Sequence, residues 1–198
     1  MIDKMIFMPN EETAIVLDFL PKGKSSAHKP EPLAQVLGKR FFTLLEVVPK
    51  ADLKIMEEVS IGKEERDKIE FIKKRVTYKE LTSTSVAEIN KAIEKIIHDD
   101  NQRFLDFFNK SGSISIRMHQ LELLPGLGKK HMLDLLDERK KKPFESFEDI
   151  EKRIKLMPNP VQTIVKRILM ELQEDDLKHY IFARPPYQER GFQPRRRY

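Results

Sequence analysis

The residues best placed to do chemistry lie at positions 124–130, in the run Leu-Pro-Gly-Leu-Gly-Lys-Lys. Pro125 stops a preceding helix, and Gly126 and Gly128 permit a tight turn into the next one. Lacking Cβ atoms, the two glycines let another backbone approach the turn closely. The first N–H groups of the new helix have no partner within it, and the helix dipole adds positive potential there. That arrangement suits a phosphate. Lys129 and Lys130 add charge at the same place, while Leu127 reads as an inward-pointing plug. Such a turn grips a sugar-phosphate backbone and reads little base sequence. Arg139, Lys140, Lys141 and Lys142 extend the basic segment, and Arg195, Arg196 and Arg197 supply a second one.

Catalytic chemistry finds less material. There is no cysteine, which excludes thiolate metal sites, iron–sulfur clusters, disulfides and a cysteine nucleophile. Gly23-Lys24-Ser25 matches the end of a nucleotide-binding loop, but position 18, where the motif requires its first glycine, is Asp. The histidines at 28, 98, 119, 131 and 179 show no close metal-ligand spacing. Asp99-Asp100 and Glu148-Asp149 read as helix surface, helix break or helix start, and no Gly-x-Ser-x-Gly elbow occurs. The expectation is a non-catalytic protein with no resident metal or cofactor.

The net charge of +5 is unevenly placed. Residues 1–177 are neutral overall, and residues 178–198 carry six basic groups against one acidic. With Pro185, Pro186, Gly191 and Pro194 among them, these last residues predict a flexible basic tail that holds phosphates by counterion release. An apolar fraction of 39% suffices for a core. No run reaches the ~20 apolar residues of a membrane span, and the early-charged N-terminus is unlike a signal peptide. A soluble, cytoplasmic protein without a membrane partner is expected.

The elements that must position these residues divide the chain. Apolar runs at 14–20, 41–48, 55–61 and 69–76, separated by a polar loop at 21–30 and a turn at 62–66, predict short strands. Residues 1–82 therefore predict a small antiparallel barrel of OB or S1 type. A single nucleic-acid strand could cross one face, with Lys22, Lys24, Lys39, Arg40, Phe71, Lys73 and Tyr78 as candidate contacts. Alternation turns one of Phe41 and Phe42 inward, and puts Ile69 and Phe71 on one face with Ile72 on the other. Residues 83–115 predict a linking helix, capped by Ser85 with Glu88 and open to interruption at 99–101. Residues 116–177 predict four helices, at 118–124, 129–139, 147–154 and 160–172. The fold class is α+β, a barrel followed by an all-α domain, with residues 178–198 as the tail.

Residues 119–154 resemble a helix-hairpin-helix motif, whose hydrophobic-Pro-Gly-hydrophobic-Gly hairpin matches positions 124–128. Leu135-Leu136, Glu138-Arg139, Pro143-Phe144, Ser146 and Glu148-Asp149-Ile150 resemble the paired, tandem form of that motif. Its second hairpin would lie at 154–161, where it departs from the pattern. There is no glycine, and Pro158 and Pro160 remove two N–H donors. Asn159 as N-cap before Pro160 makes a structural helix start instead. The resemblance also implies loop carbonyls able to coordinate a monovalent cation at the first hairpin. More widely, residues 16–23, Leu37-Gly38, 41–46 and 119–130 are similar to the archaeal domain of unknown function 655 (DUF655), predicted to bind RNA. That resemblance spans about residues 12–177. It implies a nucleic-acid-binding protein, and the preference for RNA over DNA rests on that resemblance and not on these residues, because a phosphate grip does not itself sense the 2′-hydroxyl. Two other readings stay open: a protein-interaction adaptor whose hairpins only pack, and a DNA-binding accessory to a repair or processing enzyme.

Overall fold

A computed structural model describes residues 11–23, 31–63, 66–174 and 176–185. Strands β1 (Thr13–Leu20), β2 (Leu33–Gly38), β3 (Leu44–Pro49), β4 (Glu58–Ser60) and β5 (Ile69–Arg75) form one antiparallel sheet in the order β4-β1-β2-β3-β5. Register shifts at Val16/Asp18 and Val48/Pro49 bend it. Among the described residues β4 and β5 remain its two edges, so the curled sheet is a half-barrel.

Both faces of this sheet are apolar, and that explains the near-continuous hydrophobic runs of the strands. Ala14, Val16, Ala34, Val36, Val47 and Ile69 pack together on the concave side. Ile15, Leu17, Leu37 and Leu44 pack on the other side, beneath helix α1 (Ser83–Asp99) through Ile89, Ala92, Ile93 and Ile96. β2 was not among the expected strands, although all six of its residues are buried. Its centre is Gln35, a polar residue that breaks the apolar pattern yet is fully paired. Its amide donates to Glu80 O (3.0 Å) and Glu46 Oε1 (3.3 Å), and its Oε1 accepts from Thr82 N (2.9 Å) and Ser85 Oγ (2.8 Å).

Other boundaries also move. Ile69 and Phe71 do not share a face: the register shift at Val48/Pro49 turns Ile69 and Ile72 to the concave cluster and leaves Phe71 exposed. Helix α1 is capped by Thr82, whose Oγ1 accepts Ser85 N at 3.1 Å, and not by Ser85, whose hydroxyl is buried against Gln35. Asp100, at φ −127° and ψ 51°, breaks the linking segment into α1 and α2 (Asn101–Lys110). The helix expected at 118–124 is instead a two-residue strand and a 3-10 turn over Gln120–Leu123. There His119 Nδ1 accepts Leu121 N, and Glu122 Oε2 accepts His119 N. Strands β6 (Ser113–Ser115) and β7 (Met118–His119) precede that turn. Helices α3 (Lys129–Lys141), α4 (Phe147–Arg153) and α5 (Pro160–Gln173) follow it.

The sheet and the helices share one core. It runs from Ile15 and Phe42 through Phe104 and Phe108 to Leu124, Leu135 and Ile168. Phe42 enters it with a left-handed backbone, φ 51°, and packs 6.2 Å from the Phe104 ring. Residues 178–185, expected as part of a flexible tail, are docked. The N–H groups of Ile181, Phe182 and Ala183 donate to the Glu171 carboxylate, and Phe182 stacks between Phe104 (5.8 Å) and Phe107 (5.0 Å). Arg184 N donates to Phe41 O, which ties the segment to the sheet as well. No helix among the described residues is long and apolar enough to cross a membrane.

Candidate nucleic-acid interface

The turn at 124–128 is built from the core outward. Leu124 and Leu127 are buried, and Leu127 N donates to Leu124 O at 3.1 Å, so the plug role expected for Leu127 holds its side chain inside. Gly126 takes φ 86°, open to glycine at little cost. A Cβ there would also meet Pro158 Cγ at 3.3 Å, so this turn lies directly against the one preceding α5. Gly128 is the N-cap of α3 and no side chain caps it; a Cβ at Gly128 would meet open space. The N–H groups of Lys129, Lys130 and His131 precede the first helical hydrogen bond, Met132 N to Gly128 O. Both lysines are exposed, and neither makes an ion pair with a described residue. The remaining helix starts in this region are closed: Ser146 Oγ accepts Asp149 N for α4, and Asn159 Oδ1 accepts Gln162 N for α5.

The other basic candidates are placed differently. Arg139 is half-buried, and its guanidinium donates to Phe108 O, Ser111 O and Ser111 Oγ, closing the C-terminus of α2, which leaves only Nε and one Nη2 hydrogen for a phosphate. Lys140, Lys141 and Lys142 are exposed and pair with Asp137, Glu138 and Glu145. They sit at the far end of α3, about 18 Å from Lys129 at 1.5 Å per residue, and cannot share one phosphate with it. Arg195, Arg196, Arg197 and Lys24 lie outside the described residues.

On the sheet, α1 covers the convex face of β1 and β2, which closes that face to a strand of nucleic acid. Lys39 is committed to Glu58 (2.8 Å) and Asp99 (3.3 Å); burial opposes its charge, but those two hydrogen bonds prevail and raise its pKa. Lys73 pairs with Glu31 at 2.7 Å, and Tyr78 packs against the core from a 3-10 turn. Phe71 is 42% exposed on edge strand β5, and Lys22 is exposed beyond β1. Arg40 lies over Phe41 at 5.1 Å, and Arg184 lies over the same ring at 4.5 Å.

Two features near the turn escaped the sequence reading. Leu156 has φ 58° and is 92% exposed, two residues after buried Ile154, just as Gly126 follows buried Leu124. A leucine in this conformation is strained by about 1–2 kcal/mol. Leu156→Gly is expected to stabilise the protein by about 0.5–1 kcal/mol, the strain relieved exceeding the unfolded-state entropy gained. Urea unfolding would show it as a raised midpoint with unchanged m. The second feature is His119, whose Nδ1 must be unprotonated to accept Leu121 N. Burial, then the charge of Arg139, lowers its pKa below the ordinary value. The folded state therefore resists protonation, so its contribution is present above the unfolded pKa of about 6.5 and is lost as pH falls through the lower folded value. His119→Gln is expected to flatten the stability–pH curve below about pH 6.5, measured by thermal unfolding across pH.

An uncharacterised protein of Methanocaldococcus jannaschii is 42% identical over 178 residues, covering 88% of this chain and 80% of the relative. The crystal structure of Af1531 from Archaeoglobus fulgidus superposes with a TM-score of 0.82 at 47% identity, covering 88% of this chain and all of that one. The family described as protein of unknown function (DUF655) matches residues 10–184, and to that family this chain belongs.

Proposed function

We propose that this protein binds nucleic acid without catalysis, RNA in preference to DNA, by holding the sugar-phosphate backbone at residues 126–130. One observation carries the reading. The start of α3 is left open, its first three amides uncapped, with two exposed glycines before it and two lysines that pair with no described residue. Free amides and the helix dipole favour an anion at such a helix start, and two lysines stand in its first turn. The arrangement of the two turns supports a tandem helix-hairpin-helix reading. Each has a positive-φ residue two positions after a buried aliphatic, and the turns touch through Gly126 and Pro158. Only the first is equipped to bind, since Asn159 and Pro160 close the second. A monovalent cation at the first turn belongs to the same proposal, as does an OB-like use of the half-barrel, now restricted to the β5 edge around Phe71.

Titration of structured RNA, single-stranded RNA and duplex DNA across a salt series tests this. A log–log salt slope of several units, with RNA bound more tightly than DNA, is expected. Absence of binding to all three at about 50 mM salt would refute it. A protein-interaction adaptor is the second reading, favoured by one observation: Leu156 and Leu133 expose large apolar side chains on the helical part. Under that reading, Leu156→Gly would lose a protein partner and leave nucleic-acid affinity unchanged.

A further inference from the structure

We propose that the groove between the loop after β2, the α1–α2 junction and the docked C-terminal segment binds a nucleobase, with guanine preferred. Its volume is about 570 Å³, within the roughly 300–1,000 Å³ of pockets that take small molecules. Phe41, Ile96, Ile181 and Phe182 form its apolar wall, against which a flat, uncharged ring can be buried.

The observation that points to a ligand is Asp100. Aspartate is among the residues most favoured at a helix N-cap, where its carboxylate accepts an N–H two or three residues on. Asp100 is the N-cap of α2, yet its side chain makes no capping bond. It lines the groove and accepts no hydrogen bond from any other described residue. Arg103, one turn along α2, lines the same groove. Its Nη1 donates to Lys39 O at 3.1 Å and its Nη2 to Arg40 O at 2.5 Å, which fixes the guanidinium against the loop. Its remaining N–H groups have no acceptor among the described residues. Burial lowers the pKa of Arg103, and the charge of Asp100 is the largest effect opposing that fall, so the two groups are neighbours. They nevertheless form no ion pair. An unused acceptor and an unused donor thus stand near each other at the edge of an apolar wall.

The charges of the lining select a neutral ligand. Lys39, Arg40 and Arg103 face Glu12, Asp99 and Asp100, three of each sign. Lys39 and Asp99 satisfy each other at 3.3 Å, with Glu58 and Lys95 completing that set. Glu11, next in the chain to the lining, is taken up by the N–H groups of Arg40, Phe41 and Thr43. Residues 1–10, which precede it, lie outside the described residues and hold one acid and one base, Asp3 and Lys4. A phosphate would therefore meet as many carboxylates as cations. Among the common bases, guanine alone offers two parallel N–H donors, N1–H and N2–H, that match a carboxylate edge to edge. Its O6 and N7 are the acceptors that an arginine fork reads. No residue of 124–130 lines the groove, so this site does not depend on the backbone grip there.

The test titrates guanosine, adenosine and xanthosine into the full-length protein by isothermal calorimetry. Guanosine is expected to bind roughly ten- to a hundredfold more tightly than adenosine. Asp100→Asn keeps an equally good N-cap residue at an exposed position, so Tm should not change. That variant should lose guanosine by the same factor and gain xanthosine, whose C2 carbonyl accepts from the new amide where the guanine amino group donated. An exchange of preference of this kind cannot come from a disturbed fold. Two RNA hairpins, differing only in one unpaired loop base, G or A, separate the sources of the base. A preference for G that Asp100→Asn abolishes assigns the groove to a base within a chain. Equal affinity for both hairpins, with guanosine still bound, assigns it to the free nucleoside. If guanosine binds and no RNA does, the backbone-grip reading falls and this one stands. Guanosine and adenosine bound equally, or neither bound with no preference between the hairpins, overturns the proposal. So does a guanine preference that Asp100→Asn leaves unchanged.

Discussion

Exchanging Glu171 for leucine is expected to lower the unfolding free energy by about 3–5 kcal/mol, with Tm falling on the order of 10 °C. The carboxylate is wholly buried. It accepts Arg167 Nε at 2.8 Å and the N–H groups of Ile181 (2.9 Å), Phe182 (3.0 Å) and Ala183 (2.7 Å). Leucine would leave the Arg167 guanidinium buried without its counter-charge and three amides without an acceptor. Arg167 also donates to Leu123 O, at the entrance of the 124–128 turn, and to His179 O. The pair thus fastens the docked C-terminal segment, α5 and the 124–128 turn to one another. Adding Arg167→Met should recover part of the loss, because no unpaired charge then remains, but not all, because the amides of 181–183 still lack acceptors. A chain ending at Pro185 keeps these bonds, and one ending at Leu177 loses those to His179, Ile181, Phe182 and Ala183 and should melt lower. Urea unfolding of each variant measures the effect, and a Glu171→Leu protein within about 1 kcal/mol of the parent would show that the clamp is dispensable.

That clamp also shows where the sequence is readable and where it is not. Local signals translated well: the Pro-Gly-x-Gly turn, the Asn159-Pro160 helix start and the strand at β1 are properties of a few adjacent residues. Docking of 178–185 depends on Glu171 and Phe41, and a stretch scored only by its own charge and prolines reads as a tail. Gln35 hid β2 because three of its four partners, Glu80, Thr82 and Ser85, are 45 or more residues away. Arg139 looked like part of a basic patch, although its donors end α2 from 28 and 31 residues off. The bulge at Val48/Pro49 cancelled the alternation argument for Ile69 and Phe71. In each case a long-range pairing decided the role of a residue that local type left open. The turn at 124–130 was legible because its backbone geometry, a positive-φ glycine and a glycine N-cap, is almost entirely local.

Lys129→Glu/Lys130→Glu is expected to lower nucleic-acid affinity by about 10²–10³ at low salt and to reduce the salt slope by about 2, one unit per lost phosphate contact. The same change should not harm the fold. Both side chains are exposed and pair with no described residue, and α3 has no acidic group in its first turn, whereas α4 has Glu148 and Asp149 there. Carboxylates at a helix N-terminus are favoured by the dipole by about 0.3–1 kcal/mol each, and lysines there are disfavoured. Unfolding should therefore show unchanged or higher stability alongside the loss of binding. That opposition separates the two readings of the turn. A hairpin used only for packing gains nothing from two cations at the positive end of a dipole, while a phosphate-binding one needs them to neutralise its ligand. Lys140→Glu/Lys141→Glu makes the control: those lysines sit at the favourable end of α3 and pair with Asp137 and Glu138. That variant should be less stable and change the salt slope less. If the two double variants weaken binding equally, the grip is diffuse charge and the open helix start is not the site.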